Sequence, residues 1–166
     1  MLPSDYDDGV MALLKETDGE FFPPLSTRTS TTQKNLVTLE NREPSLEPYF
    51  GSLKKQAVIL AAREDEVAGI LSFIPRCRKT VGDREYDVLY ITTVIVGKKY
   101  RREGISIAMY EKLMQEFPDR DILIRTWSEN RGQRAALEKL GFQPLMCIPD
   151  DRGKGMDTVY YCRKGR

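Results

Sequence analysis

Between residues 86 and 117 the apolar pattern changes period. Residues 86–96 are rich in Val, Ile, Thr and Tyr, the types that suit a pleated strand. Ile105, Ala108, Met109, Leu113 and Phe117 then recur at helical spacing and share one face of a helix. A strand that hands over to an amphipathic helix needs a sheet with that helix packed on it.

The flanking sequence extends this unit. Residues 56–62 and 67–74 are apolar runs joined by a charged turn, and they read as a hairpin. Val81-Gly82-Asp83 marks the next turn. Pro118-Asp119 ends the helix. Residues 121–127 form a short strand with Ile122 and Ile124 on one face. Asn130 caps a helix through Ala136, Leu137 and Leu140, which Gly141 stops. Residues 145–148 and 157–162 make a last strand pair around the loop 149–156. Residues 1–50 are less regular. Asp5 caps a helix through Val10, Leu13 and Leu14, and Phe21-Phe22-Pro23-Pro24 is extended. Pro44 and Pro48 bracket an irregular or short helical piece ending near Tyr49-Phe50. The predicted order is helix, three antiparallel strands, helix, strand, helix, two strands: one α/β (α+β) domain with a mixed sheet. A chain of 166 residues suits a single domain, at about 150 residues each.

Two scarcities narrow the chemistry. The chain has no His, which removes Ser-His-Asp and Cys-His mechanisms and His-based zinc sites. Its three cysteines, Cys77, Cys147 and Cys162, have no CxxC spacing, so neither a disulfide framework nor a four-cysteine metal site is expected. The net charge of +1 disfavours a nucleic-acid binder. No apolar stretch reaches membrane-helix length, and the acidic residues near Met1 are unlike a signal peptide. These features predict a cytoplasmic protein with reduced thiols, no metal, no nucleic-acid partner and no membrane partner.

Residues 97–104 join the long strand to the helix and carry four positive charges and one negative. The first N–H groups of a helix have no internal partner, and its dipole adds positive charge there. Gly104 would let a phosphate approach the backbone, and Arg101 and Arg102 would add charge-assisted hydrogen bonds. Neither GxxxxGK[ST] nor GxGxxG is present.

The run from Val96 to Ser106, V-x-x-x-Y-R-x-x-G-x-S, resembles the acyl-CoA motif of the GNAT superfamily of N-acyltransferases, written R/Q-x-x-G-x-G/A. Asn130 followed by Glu138-Lys139-Leu140-Gly141-Phe142 is similar to that superfamily's next segment. Both lie in the superfamily's strand–helix order, and the likeness spans residues 56–162 as an acyl-CoA-binding core. It implies a mostly antiparallel sheet of about six to seven strands flanked by helices. Residues 1–50 would supply a helix and acceptor-side loops. The likeness also implies acetyl-CoA as acyl donor. Its pantetheine arm would pair with the splayed strand at Val94, Ile95 and Val96. Its pyrophosphate would sit on Arg101, Arg102, Glu103, Gly104, Ile105 and Ser106. Ile107 and Ala108 would line the helix start. Asn130 would bond the pantetheine or serve only as a cap. An amine would attack the thioester directly, with a backbone N–H near Val94 for the oxyanion.

Two positions depart from the family's pattern. Leu137 stands where many members carry an acidic Tyr, and Thr92 where many carry a Glu base. Neither titrates usefully. Tyr160 is the remaining candidate for a catalytic group. On the acceptor side, Arg28 among six hydroxyl residues either holds an anionic group or sits in a polar surface loop. Trp127 either lines the acceptor cleft or packs in the core. Tyr49 and Phe50 form a buried staple or a lid. Cys147 reads as an inert core residue, and residues 150–155 as a mobile hairpin connection. The expected function is an acetyl-CoA-dependent N-acetyltransferase acting on a small-molecule or peptide amine, and a homodimer is compatible with the family. The alternatives are a non-catalytic acyl-CoA-binding module and a phosphate site for another nucleotide.

Overall fold

The computed structural model describes residues 1–37 and 42–166. The chain forms α1 (Asp7–Thr17), α2 (Glu47–Lys54), β1 (Ala57–Arg63), β2 (Glu66–Val81), β3 (Arg84–Val96), α3 (Ile105–Glu116), β4 (Ile122–Trp127), α4 (Arg131–Lys139), β5 (Gln143–Ile148) and β6 (Thr158–Arg163). The strands make one mixed sheet in the order β1-β2-β3-β4-β6-β5. All pairs are antiparallel except β3 and β4, the pair joined through α3. A parallel pair needs such a crossover, so the change of period at residue 97 sets the topology.

Alternation along the strands divides the core. Leu89 and Ile91 of β3, Ile122 and Ile124 of β4, and Val159 and Tyr161 of β6 face α3 and α4. On the other face, Ile70 and Ile95 pack with Val10, Leu13 and Leu14 of α1 and with Tyr49, Phe50 and Leu53 of α2. Each such aliphatic side chain contributes about 1.5–3 kcal/mol on burial. Farther along that second face, Val88, Tyr90, Leu123 and Tyr160 form a separate cluster.

Four local readings change. A 3-10 turn, Ser4–Tyr6, precedes α1, and Tyr6 rather than Asp5 is the N-cap, without a side-chain bond. Pro48 falls in the first turn of α2, where its missing N–H costs nothing, so the helix runs past Tyr49-Phe50 to Lys54. Strand β2 continues beyond residue 74 to Val81. A register shift between Ile74 and Cys77 absorbs Pro75, beyond the point where β1 stops pairing. Cys147 is exposed on edge strand β5, not part of the core.

Candidate functional site

Strands β3 and β4 part company at one place. Their parallel ladder runs from Leu89↔Ile122 to Ile91↔Ile124 and stops. On the opposite edge of β3, Phe73 faces Ile91 but Ser72 faces Thr93, which leaves Thr92 as an extra residue. A bulge of this kind bends a strand and ends pairing. From Thr93 to Val96, β3 stays paired to β2 alone, so its edge toward β4 is open. The site is built in that opening.

One half is a groove of about 540 Å³ at the start of α3. Val94, Ile95 and Val96 line it from the strand, and Arg101, Arg102, Gly104, Ile105 and Ser106 from the loop and first helical turn. Arg102 and Gly104 have φ of 65° and 75°, and Gly104 is the N-cap of α3. No atom lies within 4 Å of where a Cβ on Gly104 would sit. Among the described residues, the backbone N–H groups of 102–107 find no protein acceptor, so this turn presents unengaged donors. The four cations of the loop have different tasks. Lys99 pairs with Glu66, and Lys98 lies 3.8 Å and Arg101 2.9 Å from Glu20. Arg101 also donates from Nε to the carbonyl of Val96, tying the loop to the strand. Arg102 forms no salt bridge among the described residues and is left for an anion.

Three of the motif residues lie outside the groove lining. Glu103 sits 3.8 Å from Arg63 on the surface. Ile107 and Ala108 are on α3 but outside the lining. Asn130 lines the groove and also caps α4, its Oδ1 accepting from the Gln133 N–H at 3.3 Å.

The other half is a smaller cavity of about 110 Å³. Glu20, Phe21, Val94, Asn130 and Gln133 line both spaces. Hydroxyls floor the cavity. The Tyr49 hydroxyl lies 2.7 Å from Thr93 Oγ1, and Thr92 Oγ1 bonds Gln56 and Ser72. Burial holds Tyr49 above the usual phenol range, so at neutral pH it is a proton donor.

Three arginines surround this space. Arg28 is only 6% exposed, which removes the surface-loop reading, and its Nε and Nη2 both donate to the carbonyl of Pro23. Arg125, from the middle of apolar β4, donates to the carbonyl of Gln33. Arg152 is 6% exposed and donates to Thr158 Oγ1 and the carbonyl of Phe22. Its loop is therefore anchored rather than mobile. Burial, then the like charges of Arg28 and Arg125, lower Arg152 to about 9. Burial also lowers Arg28. Arg125 is raised: burial opposes its charge, and Tyr90 and Tyr160 outweigh it. Trp127 lines the cavity, with its ring 5.6 Å from that of Phe22.

The sequence reading did not bring Tyr49, Arg125 or Arg152 to this cavity. For Arg125 there was a signal, a cation within the apolar run Ile122-Leu123-Ile124. For Arg152 there was none. Tyr160 packs among Val88, Tyr90 and Leu123 and lines neither space. Leu137 is fully buried between α4 and the sheet, so its position faces the core rather than the groove. Among the described residues no helix is long and apolar enough to cross a membrane, and no group of acids and thiols is placed to hold a metal ion.

The model of the acetyltransferase (GNAT) family matches residues 15–142. No curated protein matches the chain significantly. Solved structures share the fold at low identity. A Desulfovibrio desulfuricans protein assigned to the GNAT acetyltransferases is similar with a TM-score of 0.70 and 13% identity, over 99% of this chain and 95% of that one. The Escherichia coli ribosomal-protein-S18-alanine N-acetyltransferase gives 0.63 and 15%, over 97% and 88%. An aminoglycoside 6'-N-acetyltransferase in complex with coenzyme A gives 0.63 and 16%, over 97% and 91%.

Proposed function

The chain belongs to the GNAT acetyltransferase family, and from that premise we propose that it moves an acetyl group from acetyl-CoA to a primary amine. The observation that carries this reading is the junction of two spaces at the bulge in β3. A groove with an anion seat meets a smaller, partly open polar cavity across Glu20, Phe21, Val94, Asn130 and Gln133.

The groove's residues fit the donor. The unengaged N–H groups after Arg102, the bare Cα of Gly104 and the Arg102 guanidinium together suit a pyrophosphate. The open edge of β3 at Val94, Ile95 and Val96 suits a chain of amides, as does Asn130. When bound, acetyl-CoA supplies a thioester whose C–S bond breaks as the amine nitrogen forms its N–C bond.

The smaller cavity holds the amine. The hydroxyls of Thr92, Thr93 and Tyr49 can accept its N–H groups. Phe21, Phe22 and Trp127 give the space apolar walls. No carboxylate takes the place of a base at Thr92, whose hydroxyl is engaged by Gln56 and Ser72. Glu20 is committed to Arg101 and Lys98. Among the described residues no other carboxylate lines the cavity, so the amine attacks as the free base; the coenzyme A thiolate leaves as the C–S bond breaks, and the proton lost by the nitrogen passes to it through solvent.

Thermal unfolding with acetyl-CoA, against ATP and NAD, tests the donor site. At about 100 times Kd a ligand adds about 2.7 kcal/mol, several degrees for this chain length. Stabilisation by acetyl-CoA alone, followed by thiol release with an amine panel, is the expected result. Stabilisation by another nucleotide but not by acetyl-CoA refutes it. The burial of Leu137 and the engaged hydroxyl of Thr92 favour one second reading, an acyl-CoA-binding module without turnover. Binding without thiol release from any amine would establish that instead.

A further inference from the structure

We infer that the amine acceptor carries an anionic group, a carboxylate or phosphate, seated among Arg28, Arg125, Arg152 and the indole N–H of Trp127. The inference rests on the acyltransferase reading of the site.

The smaller cavity brings together groups that can only donate. A guanidinium has five N–H donors and no acceptor, and an indole has one donor. The three arginines spend part of this capacity on the carbonyls of Phe22, Pro23 and Gln33 and on the Thr158 hydroxyl. Arg125 also meets the Tyr160 hydroxyl, whereas Arg28 Nη1 and Arg152 Nη2 find no protein acceptor among the described residues. Trp127 Nε1 is buried and also has none. A buried donor without a partner is costly unless a ligand supplies one.

The charges point the same way. Three cations gather at one cavity, and no salt bridge among the described residues involves any of them. Among the described residues, no acid contacts the three guanidinium groups directly: Asp18 accepts from the N–H and hydroxyl of Ser26, and Asp151 reaches Arg152 only through the Thr158 hydroxyl they share. Glu20, in the lining, pairs with Arg101 at 2.9 Å. Buried like charges repel in a low dielectric, and one anion among them removes that repulsion while filling the empty donor sites. An uncharged amine would leave both costs in place.

Size limits the acceptor. The cavity holds about 110 Å³, less than the ~150 Å³ apolar cavity that accommodates benzene. That suits a compact amino acid or a phosphorylated small amine, with nitrogen toward Thr93 and the anionic group toward the arginines.

Matched pairs test the inference: alanine against ethylamine, and phosphoethanolamine against ethanolamine. Each is measured by thiol release and by thermal unfolding of the protein alone. The expected result is a preference of about ten-fold or more in kcat/KM for the anionic member, with the pairs separating carboxylate from phosphate. In Arg125→Gln that preference collapses through KM while the KM for acetyl-CoA holds, and Arg125→Lys restores part of it. Thiol release with equal kcat/KM across every pair overturns the inference and leaves the acyltransferase reading intact. If no amine releases thiol, the unfolding shifts decide alone. Stabilisation by the acids but not the amines upholds the anion seat, and stabilisation by neither overturns it. If Arg125→Gln fails to fold, the wild-type pairs carry the test.

Discussion

Alanine at Gly104 separates backbone strain from ligand approach. Gly104 has φ of 75° and Gly155 has φ of 77°, and neither has an atom within 4 Å of an added Cβ. Alanine at either position therefore carries the same left-handed penalty without a clash. That penalty is roughly 1–2 kcal/mol, a fall of about 2–8 °C in Tm for a chain of this length. The two glycines differ in what faces them. Gly104 opens onto the groove at the N-terminus of α3, and Gly155 lies in the loop after β5, outside both cavities. A methyl on Gly104 stands between a phosphate and the N–H groups of the first turn. Losing one charge-assisted hydrogen bond costs about 1.5–3 kcal/mol, which is roughly 10- to 100-fold in Kd. Calorimetric titration with acetyl-CoA should show that loss for Gly104→Ala and an unchanged Kd for Gly155→Ala, with matching drops in Tm. Equal affinity in the two variants would show that the loop does not cradle the pyrophosphate.

Other outcomes follow from the same geometry. Arg102→Gln should change stability by no more than about 0.5 kcal/mol, because the side chain is exposed and unpaired, yet weaken acetyl-CoA about ten-fold at low salt; titrations at two ionic strengths check it. With no carboxylate at the Thr92 position, log kcat/KM should rise with pH until the amine's own pKa, and an acidic limb independent of the amine would expose a hidden base. Leu137→Tyr overpacks a fully buried position, so thermal unfolding should show a loss of about 1–3 kcal/mol, and thiol release should show no gain in turnover. Burial holds Tyr49, Tyr90 and Tyr110 above the usual phenol range. Their stabilisation is intact below about pH 10 and is lost as pH rises toward their folded values, at about 1.4 kcal/mol per unit and per group. Denaturant melts between pH 8 and 11.5 should show the decline beginning near pH 10.

The groove of the candidate site was legible because it is local. Val94, Arg102, Gly104 and Ser106 lie within one strand–loop–helix, and a period change plus a glycine reports their arrangement. The smaller cavity is assembled from distant segments. Arg28 comes from the N-terminal loop, Tyr49 from α2, Arg125 from β4 and Arg152 from the β5–β6 loop. Nothing in the spacing of these residues fixes their meeting, which depends on sheet order and on the bulge. Local rules misled for the same reason at Arg28. Its polar neighbours suggest a surface loop, but the carbonyl of Pro23 and the packing of Phe21 and Phe22 draw its guanidinium inward.

Regular structure is interrupted at three places that share these cavities. Thr92 is one residue too many for the β2–β3 register, and that excess ends the parallel ladder at Ile91. Arg125 puts a cation into a largely apolar strand, where it costs solvation and donates to the carbonyl of Gln33. Gly104 takes a left-handed conformation at the start of a helix, with no contact on its Cβ side to require it. A strand kept in register, an apolar residue at 125 or an ordinary helix start would satisfy the fold more cheaply. Each departure instead exposes something a ligand can use: an open strand edge, a guanidinium or a set of N–H groups. Their convergence on two adjoining spaces ties these costs to function rather than to packing.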